Sequence, residues 1–514
     1  MGDSIYANYP PPLNSAQREF LVTTIKDWTT QNGLMVRPAP TFVSKEVNPH
    51  GVLATNAPVT LFPSPFPRAC FDEARALQTV YNHLYAMITC NEEWLGKIME
   101  DLIDVDDFVS HLWKTHLAVK KEGYVQTLSL GLFRSDYMAH TPSSSVAPSL
   151  KQVEFNTISA SFGGLSSLVT QLHTELLDSP PGYPIAYPSH RLFKSNKPPE
   201  NTAVETLSAG LAAAHAAYGA SKCRSLPTCI LFVVQEGERN TFDQLALLRR
   251  ITKYHKIPVF RLLSSEILDH TTIPGSNPSR PLIYRPPHAS SHFEVTTVYL
   301  RSFYAPSDYT SERDWEARLH LERSAAIKCP TVLNQLSGCK IVQQVLAETA
   351  GPDHLASFLA EVDQSVIARL RATFAPQYDL SSTGRGRELA LNPETAANHV
   401  LKPQREGGGN NVYKTAIPEF LRSIPETDWK RWILMELIHP PAEAQNVALR
   451  SDGEVIRGDV IGELGVYGTI LWDQARGTVL HNEQGGWLMR TKAKDVNEGG
   501  VATGFSSLDS ILLF

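Results

Sequence analysis

Apolar and polar positions change period several times along the chain, and each change predicts an element. From Ser15 to Asn32, Phe20, Leu21, Ile25 and Trp28 share one face at helical spacing, with Ser15 to cap the helix and Gly33 to end it. A proline-rich stretch ending in Pro63-Ser64-Pro65-Phe66-Pro67 precedes a helical region of about Phe71–Met99. A third helix starts near Asp106, turns Phe108, Leu112 and Leu117 inward and stops at Gly123. The period then falls to two. Leu128, Leu130 and Leu132 alternate with small or polar residues, as in a strand that delivers Arg134-Ser135-Asp136-Tyr137 at its end. Lys151–Ile158 reads as its hairpin partner. After a proline-rich connection at 179–200, strand Cys229–Val234, helix Phe242–Tyr254 and strand Pro258–Leu262 alternate in βαβ fashion, and Thr296–Leu300 adds a strand. His354–Phe374 reads as one amphipathic helix with Leu355, Phe358, Leu359, Val362, Val366 and Leu370 on one stripe. Val400 and Leu401 end a strand, Trp432–Glu436 forms another, and the remainder is β-rich with a hairpin turn at Asp452-Gly453.

Composition narrows the class. The 514 residues are 42% hydrophobic and 19% charged, enough for the cores of two or three domains. A formal net charge of −6 gives no basic field for nucleic acid. No apolar run approaches the ~20 residues that span a bilayer, so no membrane partner is expected. The first residues lack a secretory pattern, and Tyr6 stands where a myristoylation signal needs Ser or Thr. The six cysteines have no zinc-type spacing and read as reduced thiols, Cys329 and Cys339 among them. A cytoplasmic location follows as the expectation.

Five stretches could carry chemistry. Lys402-Pro403-Gln404-Arg405-Glu406-Gly407-Gly408-Gly409-Asn410-Asn411-Val412-Tyr413 leaves backbone N–H groups uncovered beside two cations and one carboxylate. That suits ATP with Mg²⁺, or a plain Gly-Asn surface turn. In Glu154-Phe155-Asn156, strand alternation sends the carboxylate and the amide to one face, as hard ligands for Mg²⁺ or as solvent-facing polar positions. Ser159-Ala160-Ser161-Phe162-Gly163-Gly164 continues it with hydroxyls and open amides. Arg134 can fork onto a substrate carboxylate or pair with Asp136. Gln235–Gln244 is polar at the end of a strand, where ligands bind α/β sheets, although Glu238 or Asn240 could simply cap the next helix. Arg490 and Lys492 share a strand face that could hold an anion or form a basic edge. P-loop, nucleophile-elbow, protein-kinase and His-Glu-x-x-His motifs are absent.

Taken together these strings resemble the eukaryotic glutathione synthetase family, over nearly the whole chain to about residue 503. The strongest segments are Lys402–Tyr413, Glu154–Leu165, Leu132–Met138, Glu238–Gln244, Trp315–Pro330 and Arg490–Ala493. The resemblance implies a mixed α+β and α/β fold of ATP-grasp architecture and a homodimer. It implies a body over residues 1–225, an inserted α/β substrate domain over 226–337 and a body continued over 338–514, with a glycine-rich lid at about 375–430. It implies Glu154, Asn156 and Glu406 as magnesium ligands and Lys340 and Lys402 as phosphate contacts. The 402–411 lid (Lys402, Pro403, Gln404, Arg405, Glu406, Gly407, Gly408, Gly409, Asn410, Asn411) and Tyr413 would cover ATP. Met435, Glu436, Leu437 and Ile438 would meet adenine through the backbone. Glu463 would hold the ribose, and Lys492 and Glu498 would complete the ATP site. Peptide-substrate positions are Arg134, Ile158, Ser159, Ala160, Ser161, Glu238, Arg239, Asn240, Gln244, Arg301, Ser302, Tyr304, Arg490, Val501 and Ala502. Two departures stand out. The family pattern Arg-Asp-Gly-Tyr reads Arg301-Ser302-Phe303-Tyr304 here, which would abolish any contact by the Asp side chain, and Leu437 replaces a lysine.

The implied reaction joins γ-glutamylcysteine to glycine through an acyl phosphate, using ATP with Mg²⁺ as cofactor, with Arg134 and Arg490 stabilising the oxyanion. A ligase for another acceptor, β-alanine or serine, and a non-catalytic nucleotide-binding homologue are the alternatives.

Overall fold

The computed structural model describes the chain apart from residues 1–4, 7, 144–145, 179–186, 224–225, 288, 350–351, 382–383, 407–408, 497–499, 502–503 and 505. The first helix spans Ser15–Asn32, but Asn14 supplies the cap by accepting the Gln17 N–H at 2.9 Å, and Phe20 is exposed. The next helical region is two helices. Arg68–Cys90 buries Phe71, Ala74, Leu77, Tyr81, Leu84, Tyr85 and Ile88 at three- and four-residue spacing. Asn91 leaves helical geometry and caps Glu92–Ile103 through the Trp94 N–H. Helix Asp107–Glu122 follows, with Leu117 on its exposed side.

Among the described residues thirteen strands form one mixed sheet. Four of them matter most for function: β1 (Leu128–His140), β2 (Ser149–Asn156), β3 (Val455–Asp473) and β4 (Thr478–Ala493). They pair antiparallel in the spatial order β2-β1-β3-β4. β1 therefore runs well past Arg134, which lies in mid-strand, because residues 129–137 are buried on both faces and alternation disappears. Beyond β1 the sheet continues through Ile327–Cys329 to the strands Phe293–Arg301, Thr228–Val234 and Val259–Leu263, which are mutually parallel. Helix Arg68–Cys90 packs beneath, its Tyr85 ring stacked 3.8 Å from Phe155 of β2.

Residues 377–436 build a separate four-stranded sheet from Gln377–Tyr378, Trp432–Glu436, His399–Pro403 and Val412–Tyr413, with its own apolar core around Leu401, Ile417, Leu421 and Leu434. The stretch before it is not one helix. His354–Phe358 ends at Leu359, and Asp363 caps Gln364–Thr373 by accepting the Ser365 N–H. Leu355, Leu359 and Leu370 stay buried in both halves. The Asp452-Gly453 turn joins Gln445–Leu449 to β3, with Gly453 at φ 90°. Among the described residues no helix is long and apolar enough to cross a membrane.

Candidate active site

A cleft of about 650 Å³ opens between the four-stranded unit and the exposed ends of β1–β4. Register explains which side chains reach it or lie just beneath it. Arg134 lies opposite Asn156, Asp136 opposite Glu154 and Gly465, and Glu463 opposite Arg490. Period-two alternation therefore sets Arg134, Asp136, Glu154, Asn156, Glu463 and Arg490 on one face of four adjacent strands. From the other wall come Lys402, Pro403, Arg405, Gly409, Asn410, Asn411, Tyr413, Met435, Glu436, Leu437 and Ile438, with Lys340 and Lys492 completing the lining.

The centre is a charge network. Arg134 donates from Nε and Nη2 to both oxygens of the buried Asp136, at 2.6 and 2.8 Å, and from Nη1 to the Ser161 carbonyl at 3.2 Å. Asp136 also accepts from Arg490 Nη2 at 2.9 Å and from Asn156 Nδ2 at 3.0 Å. Arg490 Nη2 donates to Glu463 as well. Lys340 pairs with Glu154 at 3.1 Å, and Lys402 donates to the Val153 carbonyl at 2.8 Å. Burial opposes ionisation of Glu154, yet Lys340, Lys402 and Arg490 hold its carboxyl down at about 2. Burial pulls the Lys402 ammonium down to about 8 and pushes the Glu406 carboxyl up to about 7.

Glu406 Oε2 is buried without a hydrogen-bond partner among the described residues. Its other oxygen faces Gly338, where an added Cβ would lie 2.9 Å away and 2.4 Å from Thr157 Oγ1. Among the described residues no three His, Cys, Asp or Glu side chains cluster as a metal site, so a cation here would need the Asn156 amide beside Glu154 and Glu406. Two side chains of the 402–411 stretch point elsewhere. Gln404 accepts the Ile341 N–H at 2.9 Å, and Arg405 pairs with Asp106 at 2.7 Å beneath the ring of Phe108. At the hinge the Glu436 and Leu437 amides are taken by the carbonyls of Pro376 and Asn398.

The expected peptide positions form a second cluster on the side of Arg134. Ser159 has φ 52° and donates to the Leu300 carbonyl at 3.0 Å. Glu238 accepts the Asn240 N–H at 2.7 Å and Gln244 Nε2 at 3.0 Å, and Tyr304 donates to Gln235 at 3.3 Å. Arg239 donates to the Arg37 carbonyl at 3.1 Å. Arg301 pairs with buried Asp243 at 2.9 Å. That carboxylate also accepts the N–H groups of Phe162 and Gly164, both at 2.8 Å, and so ties the loop through Ile158, Ala160 and Ser161 to Arg301. Ser302 Oγ is buried without a hydrogen-bond partner among the described residues, and Val501 is buried. Phe303, where the family pattern has glycine, sits at φ 68°, a conformation that costs a side chain about 1–3 kcal/mol. Its ring is fully buried 5.1 Å from Tyr309, which offsets that strain. Gly407, Gly408, Glu498 and Ala502 lie outside the described residues.

Sequence reasoning offered Asp136 as a partner of Arg134 but missed that Arg490 shares it, and it missed Asp243 as a counter-ion and Gly338 and Gly465 as clearances. For Asp136 a signal existed, since it stands two positions from Arg134 and so on the same strand face.

Comparison with known proteins gives the family. Residues 15–513 match the family model for eukaryotic glutathione synthase, ATP binding domain. The large chain of glutathione synthetase from Schizosaccharomyces pombe is 39% identical over 90% of this chain and 92% of its own. Glutathione synthetase from Xenopus laevis is 37% identical over 88% and 89%. That from Homo sapiens is 35% identical over 96% of each. A glutathione synthetase like-effector from Globodera pallida, in its apo form, shares the fold with a TM-score of 0.72, at 20% identity over 98% of each chain. Fold, cleft and relatives define an ATP-using ligase. Within that class, the chain belongs to the eukaryotic glutathione synthase family.

Proposed function

We propose that this chain joins the cysteinyl carboxylate of γ-glutamylcysteine to the amine of glycine, converting ATP to ADP and phosphate, on an ATP-grasp framework whose four-stranded unit is the lid. The observation that carries the proposal is the cleft itself, which Lys340, Lys402, Arg134 and Arg490 line together with the Glu154 carboxylate and the Asn156 amide. The division into 1–225, 226–337 and 338–514 is part of the proposal, supported by the separate cores around Leu231 and Val298 and around Leu401 and Leu434.

A carboxylate is inert to amines, so it is first phosphorylated. Its oxygen bonds to the γ-phosphorus, ADP leaves, and the deprotonated glycine amine attacks the acyl carbon and expels phosphate. An arriving polyphosphate adds to the negative charge of Glu154 and Glu463 in favouring the buried Lys402 ammonium, and Lys340 meets it from the N-terminus of helix Lys340–Ala347. Glu154, Asn156 and Glu406 fit a divalent cation. Both Nδ2 hydrogens of Asn156 are taken by the Arg134 carbonyl and Asp136, which leaves its oxygen as the donor atom, and Glu406 Oε2 has no hydrogen-bond partner among the described residues. Bound there, Mg²⁺ would neutralise charge on the phosphates. Arg134 and Arg490 face the oxyanion formed when glycine adds. Glycine is the acceptor in this reading, and cytoplasmic location and homodimeric assembly belong to it; light scattering tests the assembly.

The decisive experiment labels the cysteinyl carboxylate of γ-glutamylcysteine with ¹⁸O. Transfer of one label to phosphate, with glycine favoured over β-alanine and serine, is the expected result. Unlabelled phosphate would overturn the acyl-phosphate route.

A further inference from the structure

Asp136 touches neither wall of the cleft, yet three groups that do are fastened to it. Its side chain is fully buried on β1, and its two oxygens take a forked pair of N–H groups from Arg134, one from Arg490 and one from the Asn156 amide, all between 2.6 and 3.0 Å. Arg490 comes from β4, separated from Asp136 by 354 positions in sequence and by one intervening strand in space. That strand, β3, leaves room for the bridge. Gly465 lies directly opposite Asp136, and a Cβ there would stand 2.7 Å from Arg134 Cδ and 2.8 Å from Asp136 Oδ1. A side chain is missing where two guanidinium groups and a carboxylate must cross the sheet.

We infer that Asp136 is the positioning residue of the reaction centre, orienting Arg134 and Arg490 towards the reacting carboxyl and limiting their excess charge; this rests on the ligase reading above. Two guanidinium groups around an unbuffered site would seize the anionic peptide in its ground state. With Asp136 between them, much of their positive charge is already matched, and the fork fixes their planes. Their stabilisation then falls on the oxyanion as it forms rather than equally on the substrate. Asp136 acts through the arginines and contacts no substrate.

Asp136→Asn keeps the shape and removes the charge. The expected result is a split: kcat for glutathione formation falls about 100-fold, KM for γ-glutamylcysteine falls at least about threefold because the freed cations hold the ground state, and nucleotide affinity stays within about threefold. A merely structural role would lower kcat through loss of folded protein and leave KM where it was. Gly465→Ala, which crowds the same bridge without changing any charge, serves if the Asn variant does not fold; it is expected to lower kcat per nucleotide-binding site, a count that excludes unfolded protein, with unchanged KM. A normal kcat, or a raised peptide KM, in Asp136→Asn overturns the inference, as does a normal kcat in Gly465→Ala. Wild-type protein assayed in parallel separates the two claims. If it forms no glutathione, the ligase reading fails; if it does and the variants match it, only the role of Asp136 fails.

Discussion

Replacing Glu154 by Gln tests the electrostatics of the cleft most directly. In the ligand-free protein Glu154 is the counter-ion of a cationic hollow, paired with Lys340 at 3.1 Å and attracted by Lys402 and Arg490. Burial works against its ionised form, but those cations prevail and hold the carboxyl at about 2 instead of 4.5. A folded pKa below the unfolded one means stabilisation that is present above pH 4.5 and lost as pH falls from there towards 2. The displacement corresponds to on the order of 3 kcal/mol at neutral pH, reduced somewhat because water reaches part of the side chain. Glu154→Gln abolishes that contribution and leaves the buried Lys340 without its ion-pair partner. Urea unfolding at pH 7 is therefore expected to show a loss of about 2–3 kcal/mol. A non-hydrolysable ATP analogue without divalent metal brings replacement negative charge, so it should raise the melting temperature of the variant more than that of the wild type. An unfolding free energy within about 0.5 kcal/mol of wild type, or equal thermal shifts from the analogue, would refute the reasoning.

Three further outcomes follow from other parts of the molecule. His173 is buried and neutral, donating from Nε2 to the Thr60 carbonyl at 2.9 Å and accepting the Ser510 hydroxyl at 2.7 Å, and burial holds its pKa at about 4; an unfolded histidine takes its proton near pH 6.5, so stability falls by about 3 kcal/mol as pH drops from 6.5 to 4, and His173→Gln should flatten that slope in equilibrium unfolding. Gly338→Ala drives a methyl group against Thr157 and Glu406, and steady-state assays should show at least a tenfold loss of kcat with a circular dichroism spectrum like the wild type's. Arg405→Ala cuts the tie between the lid loop and Asp106, so limited proteolysis should cleave the 403–413 segment faster, and ATP should suppress the difference.

Much of the site was legible because its residues repeat at strand spacing or gather in one stretch. Glu154 and Asn156 share a face by alternation alone, and the Lys402–Tyr413 string carries cations, glycines and a carboxylate within twelve positions. What stayed hidden were interactions across the sheet. Nothing near Asp136 announces that Arg490 will be its partner, since the register of β1, β3 and β4 decides that. β1 ran past its expected end because a strand buried on both faces has no alternation to read. The helices Gly163–Leu177 and Ala203–Tyr218 were not anticipated; the first opens on paired glycines, which resemble a loop until Asp243 is seen to accept two of the opening amides. The break at Asn91 turned on a capping side chain, which wins over a continuous apolar stripe by satisfying amides that the next helix would leave bare.

The strand order also sets a timetable for synthesis. β1 leaves the ribosome with β2 as its nearby partner, and its other neighbours among the described residues, Ile327–Cys329 and β3, both arrive more than a hundred residues later. Ser506–Asp509 then pairs with both β4 and Val59–Thr60, joining the late chain to its early part. The wall of the cleft built on β1 to β4 consequently cannot form until β4 has been made. Until translation passes β3, the unpaired edge of β1 is an aggregation hazard, and that interval covers most of the synthesis of the chain.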